Sequence, residues 1–332
     1  MKKIGLLLTT FLFLVSLGCA KEPAPESKAQ DEKKLEKVTV MLDWVPNTNH
    51  TGLYVAKDKG YFKEQGLEVE IIQPSEGGTS KLVATGKAQF GVSYQEDVTM
   101  ARANGIPVVS IAAVIQHNTS GFASKKELHI QRPKDLEGKR YGGWGSPTEE
   151  AVLAAVLDQD NGDAAQIKNI NIGTTDFFTA IQRDIDFAWI YYGWDGLEAE
   201  RRNIPLNFML LKDLHPALDY YTPVLITNEK LIAEKPELAQ KFMAAVAQGY
   251  GYCIEHPQEA AEVLLQNAPE TNRELALKSQ QWLADQYQAD APRWGEQKKE
   301  IWQRYADWML QQKLLPQAVD VDKAFTNQFL PQ

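Results

Sequence analysis

The sequence predicts an α/β fold of mainly parallel sheets flanked by helices, and three observations carry that prediction. From about residue 38 to about 224, short β-branched and apolar runs alternate with segments of helical periodicity. Repeated strand–helix units return the chain to the same sheet edge, so the strands pair in parallel and need helices on both faces. Cap and turn residues punctuate the alternation, and beyond Val224 the pattern becomes helical. The chain's 332 residues are 44% hydrophobic and 10% aromatic, enough for two domains with cores of their own. A formal charge of −9 and the absence of a basic stripe exclude a nucleic-acid binder, because phosphate neutralisation needs clustered Lys and Arg.

Taken in order, the chain opens with Lys2 and Lys3 before the apolar run Ile4-Gly5-Leu6-Leu7-Leu8, continued by Phe11-Leu12-Phe13-Leu14-Val15. This is the charged-then-apolar plan of a secretion signal, and it is short for a membrane span. Ser16-Leu17-Gly18-Cys19 resembles a bacterial lipobox, which implies a signal peptide over residues 1–18 and a lipid on Cys19; plain secretion is the alternative. Residues 19–37, rich in Lys, Glu, Ala and Pro, read as a flexible tether. With Cys19 lipidated only Cys253 remains as a thiol, so neither an intrachain disulfide nor a cysteine metal site is expected.

The first strand is Val38-Thr39-Val40-Met41-Leu42, and Pro46 stops it. Leu53-Tyr54-Val55-Ala56 is helical, which sets Asn47, Asn49 and His50 near a helix N-terminus. Thr79-Ser80 caps a helix through Ala84, Phe90-Gly91-Val92 is a strand, and a helix from Glu96 ends at Asn104-Gly105. Pro107 opens an apolar strand from Val108 to Ile115. Ser146-Pro147-Thr148-Glu149 is a capping box with Pro at the first helical position, the clearest helix start in the chain. Thr175-Asp176 begins another helix, Asp186-Phe187-Ala188-Trp189-Ile190 is a strand, and Asp195 to Arg202 is helical. Leu238, Phe242, Ala245, Val246, Gly249 and Cys253 form one buried helical stripe, so Cys253 reads as a small core residue. Trp282, Trp302, Tyr305 and Trp308 fall in late helical segments and read as packing against the sheet.

Trp44, Tyr94, Trp144 and the group Tyr191, Tyr192 and Trp194 each follow a predicted strand and precede a predicted helix. Ligands of open α/β sheets bind outside the C-terminal strand ends, so these rings can converge on one cleft suited to a small, flat heteroaromatic. Each good stack contributes about 0.5–1.5 kcal/mol beyond area burial. For any single ring, sealing a core is the competing role. Polar candidates lie beside them: Ser93, Gln95, Glu96 and Asp97 after one strand, and Gly145, Ser146 and Glu149 at the capped helix start. Asp195 and Glu198 are one turn apart after Trp194; a carboxylate that accepts from a ligand's amino group contributes about 1.5–3 kcal/mol. Glu198 is the preferred partner, and Asp195 reads as a solvated first-turn acid. Tyr220-Tyr221-Thr222-Pro223 precedes Val224-Leu225-Ile226, a strand expected to cross between domains, with Tyr221 a candidate facing the cleft.

The stretch Asp43-Trp44-Val45-Pro46-Asn47-Thr48-Asn49-His50-Thr51-Gly52, followed by Gly60-Tyr61-Phe62-Lys63-Glu64-Gln65-Gly66-Leu67, resembles solute-binding proteins of ABC importers, specifically the group that captures thiamin pyrimidine precursors, the ThiY group. The likeness runs from about Val38 to the C-terminus. It implies a two-lobed periplasmic-binding-protein fold of type II with two crossover segments. One lobe would combine residues 38–124 with 225–332, and the other would span 125–224. It further implies an extracytoplasmic, lipid-anchored monomer that closes over N-formyl-4-amino-5-aminomethyl-2-methylpyrimidine and delivers it to an ABC permease. Trp44 and Tyr94 would then oppose Trp144, Trp194 and Glu198, Glu198 being the position that aligns with the family's pyrimidine-reading acid.

Competing functions leave different marks. His50, His117, His129, His215 and His256 show no HExxH or close pairing, and there is no GxSxG or GxxxxGK[ST], so no metal, cofactor or catalytic group is expected. The superfamily includes a single-turnover fungal thiamin-pyrimidine synthase that consumes its own histidine. Here Asp97 aligns with that histidine, and the stretch around Tyr221 lacks its cysteines. Binders of riboflavin, sulfonate or nitrate remain the alternative. An anion binder would place Arg in the cleft, where this chain has carboxylates and rings.

Overall fold

Two five-stranded sheets organise the chain among the residues described by the computed structural model, 34–73, 78–173 and 175–332. The expected signal peptide, Cys19 and the tether as far as residue 33 lie outside them. In the first sheet the order is β2-β1-β3-β10-β4, from β1 (Glu36–Met41), β2 (Leu67–Ile72), β3 (Phe90–Ser93), β4 (Val108–Ala113) and β10 (Val224–Asn228). Strands β1, β2 and β3 are parallel, and β10 is antiparallel to both its neighbours. The second sheet runs β7-β6-β8-β5-β9, from β5 (Ser120–Lys125), β6 (Arg140–Gly143), β7 (Lys168–Asn171), β8 (Phe187–Tyr191) and β9 (Leu206–Leu210), with β5 the antiparallel member. Each sheet is therefore parallel except for one strand.

Those two reversed strands locate the cleft. Val224 pairs with Ser93 and Ala113, so β10 enters at the C-terminal edge of its parallel neighbours. Ser120 pairs with Tyr191, and Gly121 with Leu210, so the chain also enters and leaves the second sheet at its C-terminal edge. Both crossings, residues 114–119 and 211–223, consequently join the edges where parallel α/β sheets bind ligands. This is the two-lobed architecture expected from the sequence, with one boundary moved. The first crossing comes before Ser120, not at 124/125, because no breaker residue marks the passage from β4 to β5.

Helices cover the sheets. Around the first lie α1 (Thr51–Asp58), α2 (Tyr61–Glu64), α3 (Thr79–Ala84) and α4 (Gln95–Ala103). The second carries α5 (Pro147–Gln159), α6 (Phe177–Arg183), α7 (Leu197–Arg201) and α8 (Leu211–Leu214). Beyond β10 come α9 (Glu229–Glu234), α10 (Pro236–Glu255), α11 (Pro257–Asn267), α12 (Arg273–Gln288) and α13 (Lys299–Gln311). The stripe of α10 is buried as its periodicity predicts, with Phe242 stacked 3.8 Å from Phe90 and Cys253 fully enclosed. At its closest approach α10 meets α1 backbone to backbone: a Cβ on Gly249 would lie 2.1 Å from the Gly52 carbonyl oxygen. Helix α13 departs from the expected division, in which everything after residue 225 joins one lobe. Its Trp302 and Ala306 pack with the first sheet's residues, while Tyr305, Trp308 and Met309 pack with the second's. Among the described residues no helix is long and apolar enough to cross a membrane.

Candidate functional site

The cleft wall on the first sheet begins just past β1. The strand ends at Met41, ahead of Pro46, and the Asn47 side chain caps the turn Thr48–His50 by accepting from the Asn49 amide at 2.9 Å. That turn sends the His50 ring back toward Asp43. His50 Nδ1 accepts the Asn47 N–H at 3.2 Å, which leaves Nε2 to donate to Asp43 Oδ1 at 2.6 Å. Tyr94, at the end of β3, donates its hydroxyl to the other Asp43 oxygen. Burial pushes the Asp43 carboxyl up, but the His50 ring and the Tyr94 hydroxyl outweigh it and hold it below the usual carboxylate range. Trp44, 64% exposed, stands beyond this buried pair.

The opposite wall is built on the ends of β6 and β8. Glu149 spends its carboxylate on the loop after β6, accepting from the Tyr141 hydroxyl at 2.7 Å, from Ser146 N–H at 2.8 Å and from Trp144 N–H at 3.1 Å. The Ser146 hydroxyl accepts from Thr148 N–H, which completes the capping box. The loop is thereby fixed as a mount for the Trp144 ring, 53% exposed, whose centroid lies 5.6 Å from that of Trp189. Trp189 and Tyr191 alternate on one face of β8.

Past β8 the chain widens into a π-helical turn, Tyr192–Gly196. Tyr192 turns outward, packing against Phe208 and Trp282 and donating its hydroxyl to Glu200 at 2.5 Å. Trp194 is half-buried on the same turn. Asp195, beside Tyr191, is driven by burial to a pKa of about 6. Glu198 is instead gripped by Arg201 at 2.7 and 2.8 Å and by Arg202 at 2.5 Å, and the Arg201 bonds hold its pKa below the usual value.

From the first turn of α4, Glu96 adds a further acid. Its Oε2 is buried and has no hydrogen-bond partner among the described residues, and burial raises its pKa to about 8. Tyr94 and Tyr191 lie close enough for their charges to interact, and Tyr191 interacts in the same way with Glu96, Asp43 and Asp195. Groups at the C-terminal edges of both sheets thus lie within electrostatic range of one another.

Of the residues singled out in the sequence, the structure sets Trp44, Tyr94 and Trp144 at these edges. It commits others to the frame. Asn47 and His50 shape the turn behind Asp43, and Ser93 donates to Asp97 at 2.8 Å. Gln95 accepts the Tyr221 N–H at 2.8 Å, and the Tyr221 hydroxyl accepts the Lys298 N–H at 2.9 Å, so both are buried away from the cleft. Ser146 and Glu149 hold the α5 start, Tyr192 faces outward, and Glu198 is neutralised by two arginines. Asp43 and Trp189 were given no site role from the sequence. Asp43 carries the signal of directly following a strand, and Trp189 that of standing two residues before Tyr191. Among the described residues no group of three His, Cys, Asp or Glu is placed to hold a metal ion.

Comparison with known proteins places this architecture. Residues 47–260 match the family model described as NMT1/THI5 like. The chain belongs to the NMT1/THI5-like family. It is similar to the formylaminopyrimidine-binding protein of Halalkalibacterium halodurans, with 32% identity over 98% of each chain. It also resembles the riboflavin-binding protein RibY of Chloroflexus aurantiacus, with 26% identity over 100% of this chain and 99% of that one. Among solved structures, the periplasmic aliphatic sulphonate binding protein SsuA of Escherichia coli superposes with a TM-score of 0.67 at 13% identity, covering 87% of this chain and 91% of that one. The NMT1/THI5-like chain therefore has the periplasmic-binding-protein fold.

Proposed function

We propose that this family member is the extracytoplasmic solute-binding component of an ABC importer, anchored by a lipid on Cys19. It closes as a monomer over a thiamin pyrimidine precursor, N-formyl-4-amino-5-aminomethyl-2-methylpyrimidine, and passes it unaltered to the permease. The observation that carries this reading is that Tyr94 and Asp43 from one sheet lie within electrostatic range of Tyr191, and Tyr191 of Asp195, on the other, with the exposed rings of Trp44 and Trp144 following strands of the two sheets. Flat rings from both walls suit a flat heterocycle, and a half-buried carboxyl can share a proton with an aminopyrimidine edge. The 32% likeness to a formylaminopyrimidine-binding protein over nearly the whole chain supports the same ligand class.

Asp195, not Glu198, is the acid we assign to the ring, because two arginines already occupy Glu198. Asp43 serves as a positioning group that holds Tyr94 in place. The full-length likeness to RibY supports a second reading, in which the same rings hold riboflavin. Native mass spectrometry of freshly purified protein separates the two. An adduct with the mass of the formylated pyrimidine supports the first, whereas a flavin mass with visible absorbance replaces it with the second.

A further inference from the structure

Helix α12 belongs to the first lobe, since Leu283 and Tyr287 lie in the core built on the first sheet. Against it stands the π-helical turn Tyr192–Gly196, which follows β8 of the second sheet. Their contact holds a directed run of hydroxyls. The Gly193 carbonyl can only accept, so the Ser279 hydroxyl donates its one proton there, and the 2.6 Å bond between Thr48 and Ser279 has Thr48 as its donor. Thr48 is itself fixed, because the Tyr287 hydroxyl donates to its carbonyl at 2.6 Å. Thr48, Ser279 and Tyr287 are buried, where a hydrogen bond without competition from water is stronger and an unmade one costs more. The backbones also approach closely: a Cβ on Gly193 would lie 3.0 Å from the Trp282 ring and 3.4 Å from Leu283. Ser279 stands off the hinge, about 10 Å along α12 at the helical rise from Gln286, whose carbonyl accepts the Gln116 N–H of the first crossing at 3.2 Å.

We propose that Ser279 is a positioning residue that latches the two lobes together. Its hydroxyl, aimed by Thr48, takes the Gly193 carbonyl as the lobes close, fixes the turn that carries Trp194 and Asp195, and so slows release of whatever the cleft holds. The proposal takes from the reading above only the identity of the solute. Rotation about the crossings carries Gly193 away from α12, and water then replaces both partners of the bond. The bond therefore stabilises the closed state and acts on release, leaving the first encounter with solute untouched. Gly193 permits the contact by lacking a side chain, since any Cβ there would stand between the turn and the helix.

Paired spin labels at Lys168→Cys on β7 and Lys241→Cys on α10, both exposed, read the distance between the lobes, and Cys253 is too buried to take a label. The shorter of two distances is that of the closed form. Its population, with and without N-formyl-4-amino-5-aminomethyl-2-methylpyrimidine, should fall about threefold or more in Ser279→Ala, which removes the donor, and in Gly193→Ala, which wedges the contact. Stopped-flow tryptophan fluorescence with the same pyrimidine should show release about fivefold faster in Ser279→Ala and association changed by less than about twofold. Thr48→Val should fall between Ser279→Ala and the unaltered protein, and Thr48→Ser, which keeps the hydroxyl, should behave as unaltered; a merely structural role would leave the ratio of release to association unmoved. Equal closed populations in the unaltered protein and both α12-contact variants, or no closed population in any, overturn the latch. If the unaltered protein closes and the variants open while the pyrimidine neither binds nor shifts the distances, the latch stands and the pyrimidine reading falls.

Discussion

Asp195 and Glu198 are acids three residues apart whose surroundings drive them in opposite directions. Two arginines hold Glu198 ionised, while burial beside Tyr191 raises Asp195 to about 6. An acid whose folded pKa exceeds its unfolded value loses stabilisation as pH climbs between them, here from about 4 to about 6. Asp195→Asn is therefore expected to raise the melting temperature of the empty protein at pH 7 and to leave it nearly unchanged at pH 4, while weakening pyrimidine binding at least tenfold. Glu198→Gln is expected to do the reverse, lowering the melting temperature and changing affinity by less than threefold. Thermal melts at the two pH values, paired with calorimetry, check both. On the proposed assignment, function and stability conflict at Asp195. The sequence preference for Glu198 overlooked that Arg201 and Arg202 stand at i+3 and i+4, the positions that neutralise a helical acid.

At the scale of elements, legibility followed the strength of local signals. The α5 capping box, the α10 stripe and the strands ending before Trp44, Tyr94 and Trp144 all have short-range signatures, and each forms as the sequence predicts. The turn after β8 was less legible. A π-helical step between Tyr191 and Leu197 rotates Tyr192 away from the cleft, and neither periodicity nor capping foretells it, although Gly193 and Gly196 are compatible with it. The crossing into β5 was misplaced for want of a breaker. Contacts distant in sequence, such as Gln95 with Tyr221, carry no local signal at all, so frame residues and ligand residues look alike until the fold is known. The contact between α1 and α10 gives a test at this scale. Gly249→Ala forces a methyl onto the Gly52 carbonyl and is expected to destabilise the protein by about 1–3 kcal/mol, measured by denaturant unfolding.

Across the whole molecule, the two lobes are tied at several points. His117 on the first crossing bonds Asp219 on the second at 2.8 Å and Asp290 beyond α12 at 3.1 Å. Ser279 on α12 donates to the Gly193 carbonyl and receives Thr48 at 2.6 Å, linking the first lobe to the turn beneath the cleft. The Asp219 bond first, then the Asp290 bond, raises the His117 pKa above its ordinary value. A histidine raised in this way stabilises fully below about 6.5 and loses that contribution as pH rises through its folded value. His117→Asn is therefore expected to lower the melting temperature more at pH 5.5 than at pH 9; equal losses at both would remove the ion pairs from the hinge. The central claim is that rings and acids from two sheets enclose one flat heterocycle. Its most direct test is calorimetric titration of N-formyl-4-amino-5-aminomethyl-2-methylpyrimidine into the protein and into a Trp44→Ala, Trp144→Ala double variant. The account predicts one molecule bound per chain and a loss of at least tenfold in the variant, whereas an absence of binding, or affinity indifferent to both rings, would contradict it.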